Sequence, residues 1–306
     1  MKKRKNIIEI KHGKSGYYSQ PTVFQNQLVF VCENDLWKAS LEGGDAQRLT
    51  NTLGEIHSPS FSPNGLWIAC CTTEEGGHDV YFMNSKGGPL QRLTWINTVT
   101  NILGWSHNGK NIFFRSTHES IHNKGCDAWL YKISLNGGPF EKLPFGPAMT
   151  ICQQSKGKKS IVLGRNSINN SRWKRYKGGM TGEIWVDKNN TGDFKRLLCE
   201  HSGNPVLPFW IDNRLWFITD CDGIGNLYSC NDNGKDLRQE TFQKKFYVRF
   251  PSTDGQKIVF HVGGELWMLD PNEQASPTRE KKIKIDFHSS KTQLQRRFFY
   301  GDKFWE

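Results

Sequence analysis

Nothing in the 306-residue chain approaches the ~18 consecutive apolar residues that a membrane span needs. The N-terminus, Met1-Lys2-Lys3-Arg4-Lys5, opens like an export signal, but the apolar stretch behind it is far too short and is broken by Glu9 and Lys11. The expectation is a cytoplasmic protein with no membrane partner. No Gly-x-Ser-x-Gly elbow, phosphate-binding loop or dinucleotide fingerprint is present, so the sequence implies no catalytic residues of those kinds and no cofactor. A disulfide framework is missing too. The eight cysteines, at 32, 70, 71, 126, 152, 199, 221 and 230, are irregularly spaced, and the side chains of adjacent Cys70 and Cys71 would point to opposite faces of a strand.

Acidic charge is in short supply: 30 Asp and Glu stand against 41 Lys and Arg, a net charge of +11. Much of the excess sits in Lys2–Lys5, Arg172–Lys177, Arg279–Lys284 and Arg296–Arg297. No nucleic-acid motif is interleaved with these runs, so no nucleic-acid partner is expected. What the chain has in abundance is turn residues and aromatics, with 30 Gly and 11 Trp, the composition of a turn-rich all-β domain.

Those residues are not scattered. An acidic or Asn residue, an aliphatic and an aromatic recur as Asp35-Leu36-Trp37, Asp79-Val80-Tyr81, Glu183-Ile184-Trp185, Asn226-Leu227-Tyr228 and Glu265-Leu266-Trp267, with a looser copy at Asp127 to Tyr131. Twelve residues after the aromatic come Leu49, Leu93, Leu143 and Leu197, and thirteen after come Thr50, Thr94 and Thr241. A Gly-containing turn lies between, as in Glu42-Gly43-Gly44 and Lys86-Gly87-Gly88, where positive φ is needed. The sixth copy degenerates after Trp267. A second hairpin precedes each anchor, clearest in Ser62-Pro63-Asn64-Gly65 and Ser106-His107-Asn108-Gly109.

Each unit therefore reads as four antiparallel strands in ~40–50 residues, which is one propeller blade. One blade cannot bury both faces of its sheet, so the blades pack face to face around an axis. The fold expected is an all-β, six-bladed β-propeller of four-stranded antiparallel blades. Its blades fall near residues 20–50, 56–94, 100–143, 150–198, 205–241 and 246–285. Around them, residues 1–16 form a basic tail, 17–285 the propeller and 286–306 a C-terminal linker segment.

Repeats with Ser-Pro-Asn-Gly hairpins resemble the WD40-like propellers of the TolB and prolyl-oligopeptidase groups. Three segments are more specific: Val29 to Trp37, Leu163 to Trp185 with its Trp173-Lys174-Arg175-Tyr176-Lys177-Gly178-Gly179 run, and Phe217 to Arg238. In colinear order from about residue 17 to 285, the chain resembles the first propeller of the tricorn protease family. That resemblance implies a non-catalytic propeller of a serine protease, whose catalytic domains lie outside this sequence. It implies a role in peptide passage, orientation and assembly. Peptides and the remaining tricorn-type domains or subunits are the partners implied, with homo-oligomerisation only as part of a full-length protease. In one member a pair of adjacent arginines anchors the substrate carboxylate. The corresponding stretch here, Thr94 to Thr100, has no arginine, so that role does not carry over. The alternative is a stand-alone TolB-like interaction module.

Two segments are candidate sites. His118-Glu119-Ser120-Ile121-His122 matches a zinc-protease pattern, with Cys126 as a third ligand, but that chemistry needs a helix and the segment lies between two strands of blade 3. A blade-connecting loop is the better reading, and no metal is expected. The second is the interaction loop Arg172-Trp173-Lys174-Arg175-Tyr176-Lys177, whose cations suit peptide carboxylates or other parts of a protease.

Overall fold

The computed structural model describes residues 16–120, 127–154 and 159–289, and within them lie 25 strands and no helix. Six antiparallel sheets follow one another along the chain. Five have four strands in sequence order, and the first carries an extra strand on its outer edge. The first strand of every blade touches the first strand of the next, and that of blade 6 (Val248–Thr253) closes on that of blade 1 (Ser19–Phe24). The result is the six-bladed propeller expected from the repeats.

The repeat signature is a hydrogen-bonding device. In blade 2 the Asp79 carboxylate accepts from the Thr94 hydroxyl at 2.7 Å and from the Ile96 amide at 2.6 Å. Thr94 in turn accepts from the Val80 amide at 2.9 Å. Blade 1 repeats this with Asp35 and Thr50, and blade 5 with Asn226 and Thr241. The anchor aromatic pairs across the third and fourth strands with the same register position in all six blades: Trp37 with Arg48, Tyr81 with Arg92, Tyr131 with Lys142, Trp185 with Arg196, Tyr228 with Gln239, Trp267 with Lys282. Blade 6 thus regains the pattern after Trp267; its turn is longer by four residues, which is why the register seems lost in the sequence. Cys70 and Cys71 face the cores toward blade 1 and blade 3 respectively, as strand alternation requires, and the described cysteines are free thiols.

The four strands of every blade are continuous in sequence, so no blade is completed by exchanging one of its four strands with the other chain end. The ring is closed instead by packing and by a strap. Tyr18, Phe30 and Trp37 of blade 1 share a core with Val259 and Leu266 of blade 6. Beyond blade 6, Ile285–Asp286 runs parallel to the outer strand Gly43–Arg48 of blade 1, and Phe287 is buried against Trp37 and Tyr18.

The innermost strands carry β-bulges in five blades. In four of them a left-handed residue precedes a proline: Gln20-Pro21, Ser58-Pro59, Leu207-Pro208 and Phe250-Pro251, with φ between 46° and 54°. An innermost strand has a free edge, where proline does not break a ladder. A left-handed non-glycine residue costs of order 1 kcal/mol, and these four line the central channel.

Candidate functional site in the central channel

The six inner strands surround a cavity of about 540 Å³. It is bounded by Ile168 at one end, where strands two and three of each blade are joined, and by Pro63, His107 and Gly255 at the other. Its walls mix apolar groups such as Leu103 and Phe209 with polar ones.

Near the first end a chain of hydrogen bonds runs around the channel from blade to blade. The Gln20 amide donates to His261 Nδ1 at 3.3 Å, joining blades 1 and 6. The Ser58 amide of blade 2 donates to Gln20 Oε1 at 2.5 Å. Asn101 Nδ2 of blade 3 donates to Ser58 Oγ at 3.3 Å, and Arg115 donates from Nε and Nη2 to Asn101 Oδ1 at 3.1 and 2.7 Å. Arg115 Nη1 then reaches Met149 Sδ of blade 4 at 3.5 Å. The bulges make this possible by taking the Gln20 and Ser58 amides out of the strand ladder. In blade 5 the matching pair is apolar, Val206 beside Ile218, and the chain stops.

His57 sits behind this wall, with Nε2 2.8 Å from His78 Nδ1 and Nδ1 3.0 Å from Ser58 Oγ. Burial, then the facing His78 and Arg115, push its pKa down to about 4. Burial and Arg249 hold His261 at about 3. The Ser58–His57 contact has the distance of a nucleophile and its base, yet so weak a base, with no carboxylate among the described residues to orient it, is poorly suited to activate a hydroxyl. The single carboxylate among the lining residues described is Asp254, at the opposite end of the channel.

The loop 166–182 borders the channel at the Arg115 end through Ile168. Its segment Arg172–Lys177 is pinned by the Arg175 amide, which donates to Asp220 Oδ2 at 2.8 Å, and by Lys174, which lies over the Tyr247 ring. Trp173 packs on Tyr176 at 5.4 Å and remains 60% exposed. None of Arg172, Lys174, Arg175 and Lys177 forms an ion pair with a described residue. Their charge faces solvent.

His118 lies elsewhere, on the outer part of blade 3, packed against Tyr131 and Phe140 with ring centroids 5.0 and 5.4 Å away. It borders a shallow pocket with Trp95 and Ile96. His122 and Cys126 lie outside the described residues, and among the described residues no three His, Cys, Asp or Glu side chains gather as metal ligands. The sequence singles out the loop 172–177 as a candidate but not the channel ring. The prolines at 21, 59, 208 and 251, at matching points of four blades, were the available signal.

The fold and the channel define the class: a six-bladed β-propeller with a polar collar at one mouth of its channel. The family model for the tricorn protease N-terminal beta propeller domain matches residues 15–275, and the chain belongs to that family. It is 35% identical to tricorn protease homolog 1 of Streptomyces coelicolor over 257 residues, 82% of this chain and 23% of that protein. The crystal structure of the tricorn protease superimposes with a TM-score of 0.79 at 30% identity, covering 90% of this chain and 27% of that one. A putative tricorn-like protease N-terminal subunit of Sulfurisphaera tokodaii is 31% identical over 58% of this chain and 90% of its own length. This chain spans about a quarter of the length of the full tricorn relatives it matches. No helix among the described residues is long and apolar enough to cross a membrane.

Proposed function

We propose that the chain serves a tricorn-type serine protease as its non-catalytic N-terminal propeller. It conducts and orients peptides through its central channel and docks on the domains or subunits that carry the chemistry. The observation that carries this reading is the channel itself, lined by the inner strands of all six blades and bordered at one mouth by the cationic loop 166–182. The relative named as an N-terminal subunit supports docking, since a tricorn-like protease C-terminal subunit is named from the same organism. Arg172–Lys177 is the contact we assign to incoming peptide or to a neighbouring domain.

A peptide carrying a benzophenone at mid-chain tests the passage. Irradiated with the purified chain, it should form adducts on channel residues, Met149 foremost, mapped by mass spectrometry. Adducts confined to the outer blade surfaces would sink the passage reading and favour a surface interaction module of the TolB kind. The chain alone should hydrolyse no peptide; turnover abolished by Ser58→Ala would overturn the non-catalytic assignment.

A further inference from the structure

Arg115 is 7% exposed and lines the channel, yet it has no counter-ion among the described residues. A guanidinium has five N–H donors. Here two point to a single oxygen of Asn101 and one to a thioether, Met149 Sδ, and no carboxylate among the described residues pairs with it. Burial lowers its pKa only to about 10, so it stays charged at neutral pH. A buried charge left unpaired is costly, and proteins normally compensate it.

This chain does so elsewhere. Arg279, equally buried, is paired with Glu240 at 2.6 Å, and Arg92 with Asp79 at 2.8 Å; Arg48 is held by Asp35. The corresponding rung in the other blades holds Val31, Cys71, Gly164, Ile218 and His261, so the fold does not require an arginine there. Asn101 takes the Nε and Nη2 hydrogens on one edge and leaves the end-on Nη1 and Nη2 hydrogens with only sulfur nearby. That free edge matches the two oxygens of a carboxylate. The channel is suited to an anion: the single carboxylate among its described lining residues, Asp254, lies at the far end.

We propose that Arg115, oriented by Asn101, is a carboxylate-binding residue of the channel wall. The proposal rests on reading the channel as a peptide passage and specifies which peptides it retains: those presenting a carboxylate at the mouth beside loop 166–182. Both a C-terminal carboxylate and an Asp or Glu side chain carry that chemistry.

The test uses the full chain and fluorescein-labelled peptides of one neutral sequence in three forms: C-terminal amide, free C-terminus, and amide with one internal Glu. Anisotropy should show the carboxylate-bearing forms binding about tenfold or more tighter than the neutral amide. Comparing the free C-terminus with the internal Glu tells which source is preferred. Arg115→Met should abolish the difference while leaving the unfolding midpoint unchanged or raised, because it removes an uncompensated buried charge. A purely structural arginine would give the opposite, a lowered midpoint with the peptide preference intact. Should Arg115→Met fail to fold, acetate titration of the wild-type chain decides by NMR: the Arg115 Nε–H resonance should move and saturate, and a resonance that stays put overturns the proposal. Equal binding of all three peptide forms overturns it while leaving peptide passage standing. Binding of none of them, with acetate still saturating Arg115, overturns passage and leaves the anion site.

Discussion

The Thr94 hydroxyl lies 2.7 Å from the buried Asp79 carboxylate and 2.9 Å from the Val80 amide, donating to one and accepting from the other. It thereby fastens the outer strand of blade 2 to the third. Thr94→Val keeps the shape but leaves the carboxylate short of a donor and the Val80 amide without its acceptor. We expect a loss of about 2–3 kcal/mol in denaturant-induced unfolding. Thr191→Val, on an exposed turn, should stay within about 0.5 kcal/mol. Equal effects from the two would refute the role given to the Asp–Thr device.

This pair also explains how much of the fold the sequence discloses. Asp35, Asp79 and Asn226 with their threonines use the same atoms for the same task, so they recur at fixed spacing and betray the blades. The channel ring works the other way. Gln20, Ser58, Asn101 and Arg115 each occupy a different blade and touch partners far along the chain, Gln20 and His261 being 241 residues apart. A contact made once has no period to detect. The strap is hidden for the same reason: Phe287, which the sequence reading places in a linker, meets Trp37 only once the ring has closed.

Ring closure should depend on that strap. Phe287 is 2% exposed between Trp37 and Tyr18, and Phe287→Ala should cost about 3–5 kcal/mol by leaving a cavity at the blade 1–blade 6 seam. Gly43 is a second probe. Its φ is 98°, and a Cβ there would lie 2.4 Å from the Lys284 carbonyl oxygen, so Gly43→Ala must push the strap away. Hydrogen exchange should then accelerate in Ser19–Phe24 and Ile258–Val262 before it does in blades 3 and 4. Uniform acceleration around the ring would show that the strap does not guard the seam.

The loop Arg172–Lys177 should be separable from the fold. Its cations make no ion pairs with described residues and Trp173 is exposed, so reversing Arg172 and Lys177 to Glu should move stability by no more than about 0.5 kcal/mol each. Affinity for a Glu-rich peptide should fall about tenfold at low salt and lose most of its salt dependence, since the attraction removed is screened charge. Lys174 and Arg175 are left in place because Lys174 lies over the Tyr247 ring and the Arg175 backbone is held by Asp220. An unchanged affinity would remove the loop from the peptide path.

Acid should weaken the propeller through His57 and His261 before the carboxylates titrate. Burial, with His78 and Arg115 facing one ring and Arg249 the other, holds the two pKa values at about 4 and about 3, against about 6.5 in an unfolded chain. Between these limits the unfolded chain binds protons that the folded one refuses. Stability is therefore complete above pH 6.5 and falls as the pH drops toward 4. Between pH 8 and pH 5 each histidine should withdraw about 2 kcal/mol, 1.5 pH units at about 1.4 kcal/mol per unit. Glu280, raised by burial, acts in the opposite sense, since the folded chain takes up its proton before the unfolded one does. His57→Gln and His261→Asn keep an acceptor for the neighbouring donors but cannot be protonated. Each should remove its share of the slope in urea titrations at pH 8, 6.5 and 5, and the double variant should be flatter than either single one. A slope undiminished in the double variant would place the acid sensitivity outside the channel wall, with His201, also lowered by burial, the next group to replace.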